Sequence, residues 1–321
     1  LASSTGSPSG TVVQAERNSD SRSHGVSIGG CKGPCFGIFG RMARIFIVGC
    51  GYIGEPLGVQ LAQQGHEVFG LRREVSSLPP EIHPVLGDVS APDGYRGLPS
   101  AVDYIFYMVG AKVRDEDTYR DVYLDGLGRL LQVLGDEGQS PKRIFFVSST
   151  SVYGQSRGEW VDESSPTHPP TFSGSIMVTT ESVLQASHHP STVLRLGGIY
   201  GPGRQGFVSG LRTGRIFSLS PGVNYTNRIH RDDAAGALAH LMSLDAPESL
   251  YVGVDDDPAD RAEVLHWLAD RLSVDALSEE AEGSDRGSGR RCRNDRLRAS
   301  GYRFQYPTFR EGYGALIEDG E

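Results

Sequence analysis

One short segment constrains the fold more than any other, a glycine-rich turn between an apolar run and a helical pattern. Residues 48–54 read Val-Gly-Cys-Gly-Tyr-Ile-Gly, which contains the spacing G-x-G-x-x-G. The preceding run Arg44–Val48 is typical of a buried strand, and Ile53, Leu57 and Leu61 then fall four residues apart on one helical face. In this strand–turn–helix context, the motif predicts a site that holds a dinucleotide pyrophosphate at a helix N-terminus.

Each glycine of this turn has its own expected task. Gly49 permits the tight turn, Gly51 lets the backbone approach the phosphates, and Gly54 allows the helix to pack closely on the strand. Tyr52 and Ile53 complete the predicted cofactor-binding loop. The alternative, a glycine-rich turn without a ligand, is disfavoured by the strand and helix on either side.

Apolar runs continue to alternate with helical periodicity after this turn, which indicates βαβ units on a parallel sheet. We therefore predict an α/β fold, a Rossmann-like doubly wound parallel sheet with a smaller C-terminal substrate lobe. Residues 42–198 are expected to form the NAD(P)-binding domain and 199–321 a mixed substrate lobe interleaved with the last strands. The predicted strands are Arg44–Val48, Glu67–Leu71, His83–Leu86, Tyr104–Val109, Arg143–Val147, Thr192–Leu196 and Leu250–Val254.

The N-terminal residues 1–41 differ from the rest of the chain. They are rich in Ser and Gly, poor in acids and without apolar periodicity, which predicts a disordered segment. The composition resembles an organelle transit peptide, but a poorly constrained extension before Met42 explains it equally well. The protein is accordingly expected in the cytoplasm, or in a plastid or other organelle if the segment is a leader. Cys31 and Cys35 are separated by three residues, a spacing that fits neither a redox pair nor, without further ligands nearby, a metal site.

Composition excludes several classes of partner. The net charge of −9 argues against nucleic acid, because phosphate contacts need a basic surface. The longest apolar runs, Ile45–Val48 and Ile144–Val147, are far shorter than the roughly 20 residues of a membrane span. Four cysteines in 321 residues do not make a disulfide framework, and no residue pattern predicts a metal site.

The end of the second predicted strand distinguishes between the two nicotinamide cofactors. An acid there would accept hydrogen bonds from a ribose 2′-hydroxyl, whereas arginine accommodates a 2′-phosphate. The strand ends with Arg72 and Arg73, and the first acid is Glu74. Because the planar donor fork of arginine suits phosphate, we predict that NADP(H) is preferred over NAD(H). The alternative is a pair of solvated arginines on a loop.

Further segments follow the glycine-rich turn in a recognisable order. They are Gly87-Asp88-Val89, Val109-Gly110-Ala111, Ser148-Ser149-Thr150-Ser151-Val152-Tyr153-Gly154, Arg195–Arg204 with Tyr200-Gly201-Pro202, and His230-Arg231-Asp232-Asp233. With these segments, the chain from Arg44 to about Ile317 resembles the extended and atypical short-chain dehydrogenases/reductases, the NAD-dependent epimerase/dehydratase-like proteins. The resemblance implies that Asp88 and Val89 lie at the adenine and that Val109 and Gly110 line the cofactor.

The same resemblance implies a hydride-transfer site with a Ser or Thr, a Tyr, and a Lys four residues later that lowers the Tyr pKa. Ser149 matches the Ser position. No Tyr-x-x-x-Lys occurs anywhere in the sequence, and counting back from Glu181 places Ser173 and Met177 at the Tyr and Lys positions. Ordinary dehydrogenase chemistry is therefore in doubt, whereas cofactor binding is not.

Other side chains are candidates for the missing acid/base group. Tyr153 and Tyr200 lie in loops that the family places near the cleft, and His230 titrates near neutral pH when unperturbed. We take Ser149, His230 and Tyr153 as the candidate catalytic residues. The competing interpretation, that these side chains stabilise loops between the lobes, is the commoner situation.

Arginines are frequent after residue 194 and would suit a phosphorylated or nucleotide-sugar substrate. The set consists of Arg195, Arg204, Arg212, Arg215, Arg228 and Arg231. We predict Arg195, Arg204 and Arg228 as substrate-binding residues, although the whole set is equally compatible with a solvated face. The predicted function is an NADP(H)-binding, epimerase/dehydratase-like oxidoreductase acting on a small sugar- or phosphate-bearing substrate. The alternative is a catalytically silent NADP(H)-binding redox sensor or a subunit of a larger assembly.

Overall fold

The computed structural model describes residues 42–216, 223–274 and 289–318, with the backbone of two short strands in between. The predicted leader, with Cys31 and Cys35, lies outside the described residues, as does most of the predicted linker 279–291. The described strands are β1 (Arg44–Val48), β2 (Glu67–Arg72), β3 (His83–Leu86), β4 (Tyr104–Tyr107), β5 (Arg143–Ser149), β6 (Arg157–Val161), β7 (Ser191–Leu196), β8 (Gly198–Tyr200), β9 (Ser218–Leu219), β10 (Arg228–His230), β11 (Leu250–Gly253), β12 (Ser278–Glu279) and β13 (Gly289–Cys292).

Helices connect most of these strands. A π-helical turn, Arg120–Asp125, connects two of these helices, and a short 3₁₀ turn, Thr150–Val152, follows β5. The described α-helices are α1 (Gly54–Gln63), α2 (Glu116–Tyr119), α3 (Gly126–Asp136), α4 (Phe172–Ala186), α5 (Gly206–Arg212), α6 (Arg231–Ser243), α7 (Arg261–Leu272), α8 (Asp295–Ala299) and α9 (Phe309–Glu318).

The central sheet contains the seven strands predicted from the sequence, in the order β11-β7-β5-β4-β1-β2-β3, and every neighbouring pair is parallel. The chain runs outward from β1 to β3 and then returns to β4 on the other side of β1. This reversal is the topological switch point of a doubly wound sheet, and it opens a crevice at the carboxyl ends of the strands. The predicted Rossmann-like fold is confirmed.

Both faces of the sheet are covered, as a parallel sheet requires. Ile45 and Ile47 of β1 pack on one face with residues of α1 and α6, whereas Phe46 and Val48 pack on the other face with residues of α3 and α4. All four side chains are fully buried. This alternation fixes the register of β1 and therefore the position of the glycine-rich turn that follows it.

A third apolar cluster lies in the C-terminal part of the chain. It joins α5, α7 and α9 through side chains such as Val208, Leu265 and Phe309. Strand β11 nevertheless belongs to the central sheet, so the C-terminal residues are interleaved with it. The domain boundary at residue 198 stays a prediction.

Several predicted strand bounds differ from the structure by one or two residues: β2 ends at Arg72, β4 at Tyr107, β5 at Ser149 and β11 at Gly253, and β7 begins at Ser191. Helix α7 begins at Arg261, where the Asp260 side chain accepts the cap hydrogen bond from the Ala262 N–H. Among the described helices, none is long and apolar enough to cross a membrane.

Candidate active site

A cavity of about 860 Å³ lies at the carboxyl ends of the parallel strands. Its walls come from the residues that end or follow β1, β2, β3, β4, β5 and β7, together with the first turns of α4. Ligands of doubly wound sheets bind in this crevice. The cavity is therefore the candidate active site, with β2 and β3 at one end and β5 and β7 at the other.

The glycine-rich turn forms the floor of the cavity. Gly49 has φ +85°, and a Cβ on it would lie 2.8 Å from the Cα of Val109, so only glycine fits there. At Gly51, no described atom lies within 4 Å of an added Cβ, because this position faces the open cavity. At Gly54, a Cβ would lie 3.1 Å from Ile47, which explains the close packing of α1 on β1.

Helix α1 begins beside this turn and offers a site for an anion. No described side chain caps its N-terminus. The Glu55 and Leu57 N–H groups donate to the carbonyls of Gly51 and Ile53, so what the start of α1 offers an anion is the positive end of the helix dipole beside the open turn. The open face at Gly51 and the uncapped helix fit the pyrophosphate of a dinucleotide, which Gly51, Tyr52 and Ile53 would hold. When bound, a nicotinamide dinucleotide supplies hydride transfer.

Charged side chains line the cavity at the ends of β2 and β3. The Arg72 Nη1 lies 2.5 Å from the Glu55 Oε1 on α1, whereas the Arg73 Nη1 lies 3.9 Å from the Asp88 Oδ2 and its side chain is 47% exposed. Partial burial opposes ionisation of Asp88, but hydrogen bonds from Ser90 hold the pKa of its carboxyl below the usual value. Arg73 is thus the less constrained of the two arginines.

Serine side chains line the cavity at the end of β5. The Ser149 Oγ accepts a hydrogen bond from the Ser151 N–H over 3.1 Å, and both residues border the cavity. Ser173 and Met177 on α4 also border it. The two residues that counting from Glu181 assigns to the family's Tyr and Lys positions thus lie at the cavity wall, and that assignment stays a prediction.

The wall next to α4 is aromatic, a feature that the sequence analysis missed. Tyr119 and Tyr123, on α2 and the π-helical turn, border the cavity. Their rings are 5.2 Å apart, and Tyr119 meets Phe172 edge-on at 5.6 Å. Burial raises the pKa of Tyr123, so its phenol stays protonated at neutral pH. The four-residue spacing of these tyrosines was a readable helical signal.

Cationic side chains border the same cavity. Arg204 was predicted from the sequence, and its guanidinium carbon lies 5.7 Å from the centre of the Tyr52 ring. Lys112 and Arg114 were missed; both are exposed on the loop after β4. A loop lysine and arginine give no periodic signal, so only the end of β4 in the fold shows that they face a ligand site.

Several predicted cofactor residues border the cavity, and their roles stay predictions. They are Gly49, Gly51, Tyr52, Ile53, Arg72, Arg73, Asp88, Val89, Val109 and Gly110. Gly54 instead packs against β1 behind them.

Two predicted site residues lie in a buried network beside the cavity, which we call the Glu181 network and which consists of Ser148, Tyr153, Glu181 and Arg195. Arg195 donates to the Glu181 carboxylate, with an Nη2–Oε2 distance of 2.6 Å, and to the Tyr153 hydroxyl over 3.0 Å. The Tyr153 hydroxyl donates to the Asp162 carbonyl over 2.7 Å, and burial raises its pKa to about 12. Neither a catalytic Tyr153 nor a substrate-binding Arg195 fits these positions, because both side chains are buried and engaged.

His230 and Arg228 also lie away from the cavity. His230 is 2% exposed, and its Nδ1 accepts a hydrogen bond from the Asp232 N–H at the start of α6. Burial lowers the pKa of His230 to about 4, so it is neutral at physiological pH. Arg228 is 4% exposed, with its Nη1 4.0 Å from the Asp255 Oδ2. Both side chains are buried and in contact with protein groups, which disfavours a catalytic His230 and a substrate-binding Arg228, and these roles stay predictions.

Comparisons with known proteins agree with this architecture. Residues 45–247 match the NAD dependent epimerase/dehydratase family. A solved structure from Methylobacillus flagellatus, assigned to the NAD-dependent epimerase/dehydratases, is 35% identical with a TM-score of 0.73, covering 87% of this chain and 99% of that one. Protein YeeZ of Escherichia coli K12 is 28% identical over 287 residues, 83% of this chain and 97% of YeeZ.

A Streptomyces protein, 3-diazoavenalumate denitrifying reductase, is 26% identical over 305 residues, 84% of this chain and 99% of the reductase. The family match spans most of the chain, and the Methylobacillus structure exceeds 30% identity over nearly its whole length. The chain belongs to the NAD dependent epimerase/dehydratase family, and the resemblance found in the sequence is confirmed. The family's cofactor is a nicotinamide dinucleotide.

Proposed function

We propose that this protein is an NADP(H)-dependent oxidoreductase that acts on a small anionic substrate in the cavity above β1. The observation that carries the proposal is the open cradle at Gly51 and the uncapped start of α1, with Arg73 at one end and Ser149 at the other. The Streptomyces relative is named as a reductase, which supports the same class of chemistry.

Preference for NADP(H) rests on Arg73. Its guanidinium borders the cavity, is half exposed, and has only a long 3.9 Å contact with Asp88. A 2′-phosphate there would form charge-assisted hydrogen bonds that a 2′-hydroxyl cannot match. Arg72 is already engaged by Glu55, so Arg73 is the better placed of the two for the phosphate.

The test is a titration of the purified protein with NADPH and with NADH, followed by nicotinamide fluorescence. NADPH should bind at least about tenfold more tightly, as expected for a charge-assisted contact worth 1.5–3 kcal/mol. Arg73→Ala should remove most of that difference and leave NADH affinity unchanged. Arg96→Ala, which removes an exposed arginine paired with Asp93, is the matched control. Equal affinity of the wild-type protein for both cofactors would refute the preference.

A sugar- or phosphate-bearing substrate was predicted from several arginines, of which Arg204 alone borders the cavity among the three chosen. Arg195 and Arg228 no longer support that prediction, because their charges are neutralised inside the protein. Arg204 and Arg114 still favour an anion. The proposed substrate is therefore anionic, without a commitment to a phosphate.

One observation favours a second candidate, a catalytically silent NADP(H)-binding sensor or subunit. Ser173 and Met177, which counting back from Glu181 assigns to the family's Tyr and Lys positions, border the cavity. If this second function holds, NADPH should raise the melting temperature, and Ser149→Ala should change neither that shift nor any property of the bound cofactor. If the protein is an enzyme, hydride loss from bound NADPH should accelerate with substrate and slow in Ser149→Ala.

A further inference from the structure

The end of the cavity beside α4 combines an aromatic wall with a cationic rim. Tyr119 and Tyr123 line it, Phe172 supports Tyr119 from behind, and Met177 contributes a thioether. Helix α4 packs against the π-helical turn that carries Tyr123. Small polar side chains at this end include Ser149, Ser151 and Ser173. Aromatic rings and a methionine sulfur favour a flat apolar group, whereas a sugar ring requires a dense set of polar partners.

Charge is distributed unevenly along the cavity. The acidic side chains that line it, Glu74 and Asp88, lie at the ends of β2 and β3. Arg114 and Arg204 have no ion pair with a described residue, and Arg204 is close enough to Tyr123 to oppose the rise in the pKa of that phenol. A cation beside an aromatic wall, with the acids at the far end, selects a ligand that is both flat and negatively charged.

Tyr123 lies in an uncommon backbone feature. Arg120–Asp125 forms a π-helical turn between α2 and α3, and such single turns are frequent at functional sites. Tyr119 and Tyr123, four residues apart, both border the cavity, with their planes inclined by 43°.

We propose that the substrate is an aromatic acid, whose ring lies against Tyr119 and Tyr123 and whose carboxylate pairs with Arg204. This inference rests on the proposed function, since it names the substrate class of the same cavity. A carboxylate fits the planar donor fork of Arg204, and the ring has a wall of matching shape.

The experiment uses the full-length protein saturated with NADP⁺ and calorimetric titration with trans-cinnamate. Two matched probes each lack one feature: cinnamamide keeps the ring and loses the charge, and hexanoate keeps the charge and loses the ring. Cinnamate should bind at least about fivefold more tightly than either, because a charge-assisted pair and an aromatic contact are each worth about 1 kcal/mol. Glucose 6-phosphate is included as the sugar phosphate.

Two variants test which residue contacts the carboxylate and which contacts the ring. Arg204→Gln should abolish the difference between cinnamate and cinnamamide, and Tyr123→Leu should abolish the difference between cinnamate and hexanoate. Arg96→Gln, remote from the α4 end, should change neither. Because NADP⁺ affinity is measured for each variant first, an effect of Arg204 on the cofactor alone is recognised separately and would contradict the carboxylate assignment.

The outcomes separate this inference from the proposed function. Failure of NADP⁺ to bind would refute the proposed function. The same titrations in the cofactor-free protein would then still compare the affinity for cinnamate with the affinities for cinnamamide and hexanoate. Binding of NADP⁺ without cinnamate binding would refute the aromatic acid and leave the oxidoreductase intact. Tighter binding of glucose 6-phosphate than of cinnamate would also refute it and restore the sugar phosphate.

Discussion

The cavity and the Glu181 network use the same residue types for opposite purposes. In the cavity, Arg73 and Arg204 are exposed and make only long contacts with the protein. In the network, Arg195 is 6% exposed and makes short hydrogen bonds to Glu181 and Tyr153. A buried charge must be neutralised by its neighbours, which leaves it nothing to offer a ligand. An arginine beside a conspicuous motif is thus informative about function only once its burial is known.

The sharpest test of this contrast is to break the buried ion pair. Arg195→Met leaves the Glu181 carboxylate buried without its cation and should lower the free energy of unfolding by about 3–5 kcal/mol. Denaturant unfolding measures the loss. The double variant Arg195→Met, Glu181→Leu should lose less than the single variant, because no charge is then left uncompensated. A single-variant loss below about 1 kcal/mol would contradict the structural role, since surface pairs cost that much.

The fold was predictable from the sequence because its main determinants are local. The glycine pattern of residues 48–54 and the apolar run before it define β1, the turn and α1, and burial of β1 on both faces matches its unbroken apolar character. The end of β4 was misplaced because Met108 and Val109 continue the apolar run, whereas the strand ends at Tyr107, the last residue that pairs with β1.

The candidate site was predictable from the sequence only at the glycine-rich turn. Gly49 and Gly51 have backbone requirements that the motif itself expresses. Tyr153, Arg195 and His230 instead stand in family segments near the cleft, and sequence position cannot say on which side of the wall a side chain points. Tyr119 and Tyr123 were missed although their four-residue spacing indicates one helical face, because the residue pattern does not show that this face borders the cavity.

A second test follows the charge state of His230. Its folded-state pKa of about 4 lies below the ordinary value near 6.5, so the unfolded chain binds more protons than the folded one between these pH values. The contribution of His230 to stability is therefore fully present above pH 6.5 and is lost as pH falls. Between pH 7 and pH 4.5 the loss should be about 2–3 kcal/mol.

The control for this test is His230→Asn, whose side chain can still cap α6 but does not titrate. Unfolding free energies of the two proteins, measured at intervals from pH 7 to pH 4.5, should converge as the pH falls. Parallel curves would mean that His230 is accessible to protons in the folded state, and the assignment of a catalytic role would reopen.

Substitutions at two glycines of the turn, Gly49 and Gly51, test cofactor binding and folding separately. Gly51→Ala adds a methyl group where no described atom lies within 4 Å, so the protein should keep its stability and lose affinity for NADPH by about tenfold, or 1.4 kcal/mol. Gly49→Ala places a Cβ 2.8 Å from backbone at φ +85° and should lower the melting temperature as well. Thermal unfolding with and without NADPH distinguishes the two. Unchanged NADPH affinity in Gly51→Ala would mean that the cofactor does not approach this position.

The smallest expected effect compares two hydroxyls at the end of β5, one on each side of the cavity wall. Tyr153→Phe removes the bonds to Arg195 and to the Asp162 carbonyl and should lower the free energy of unfolding by about 1 kcal/mol, the usual value for a buried hydrogen bond. Ser149→Ala removes a single bond from the Ser151 N–H at the cavity surface and should change stability by less than about 0.5 kcal/mol. The rate of hydride transfer from bound NADPH to the substrate should respond in the reverse order: it should fall in Ser149→Ala and be retained in Tyr153→Phe. If Tyr153→Phe slowed that reaction without loss of stability, the phenol would reach the reacting groups, and the division between cavity and network would fail at this residue.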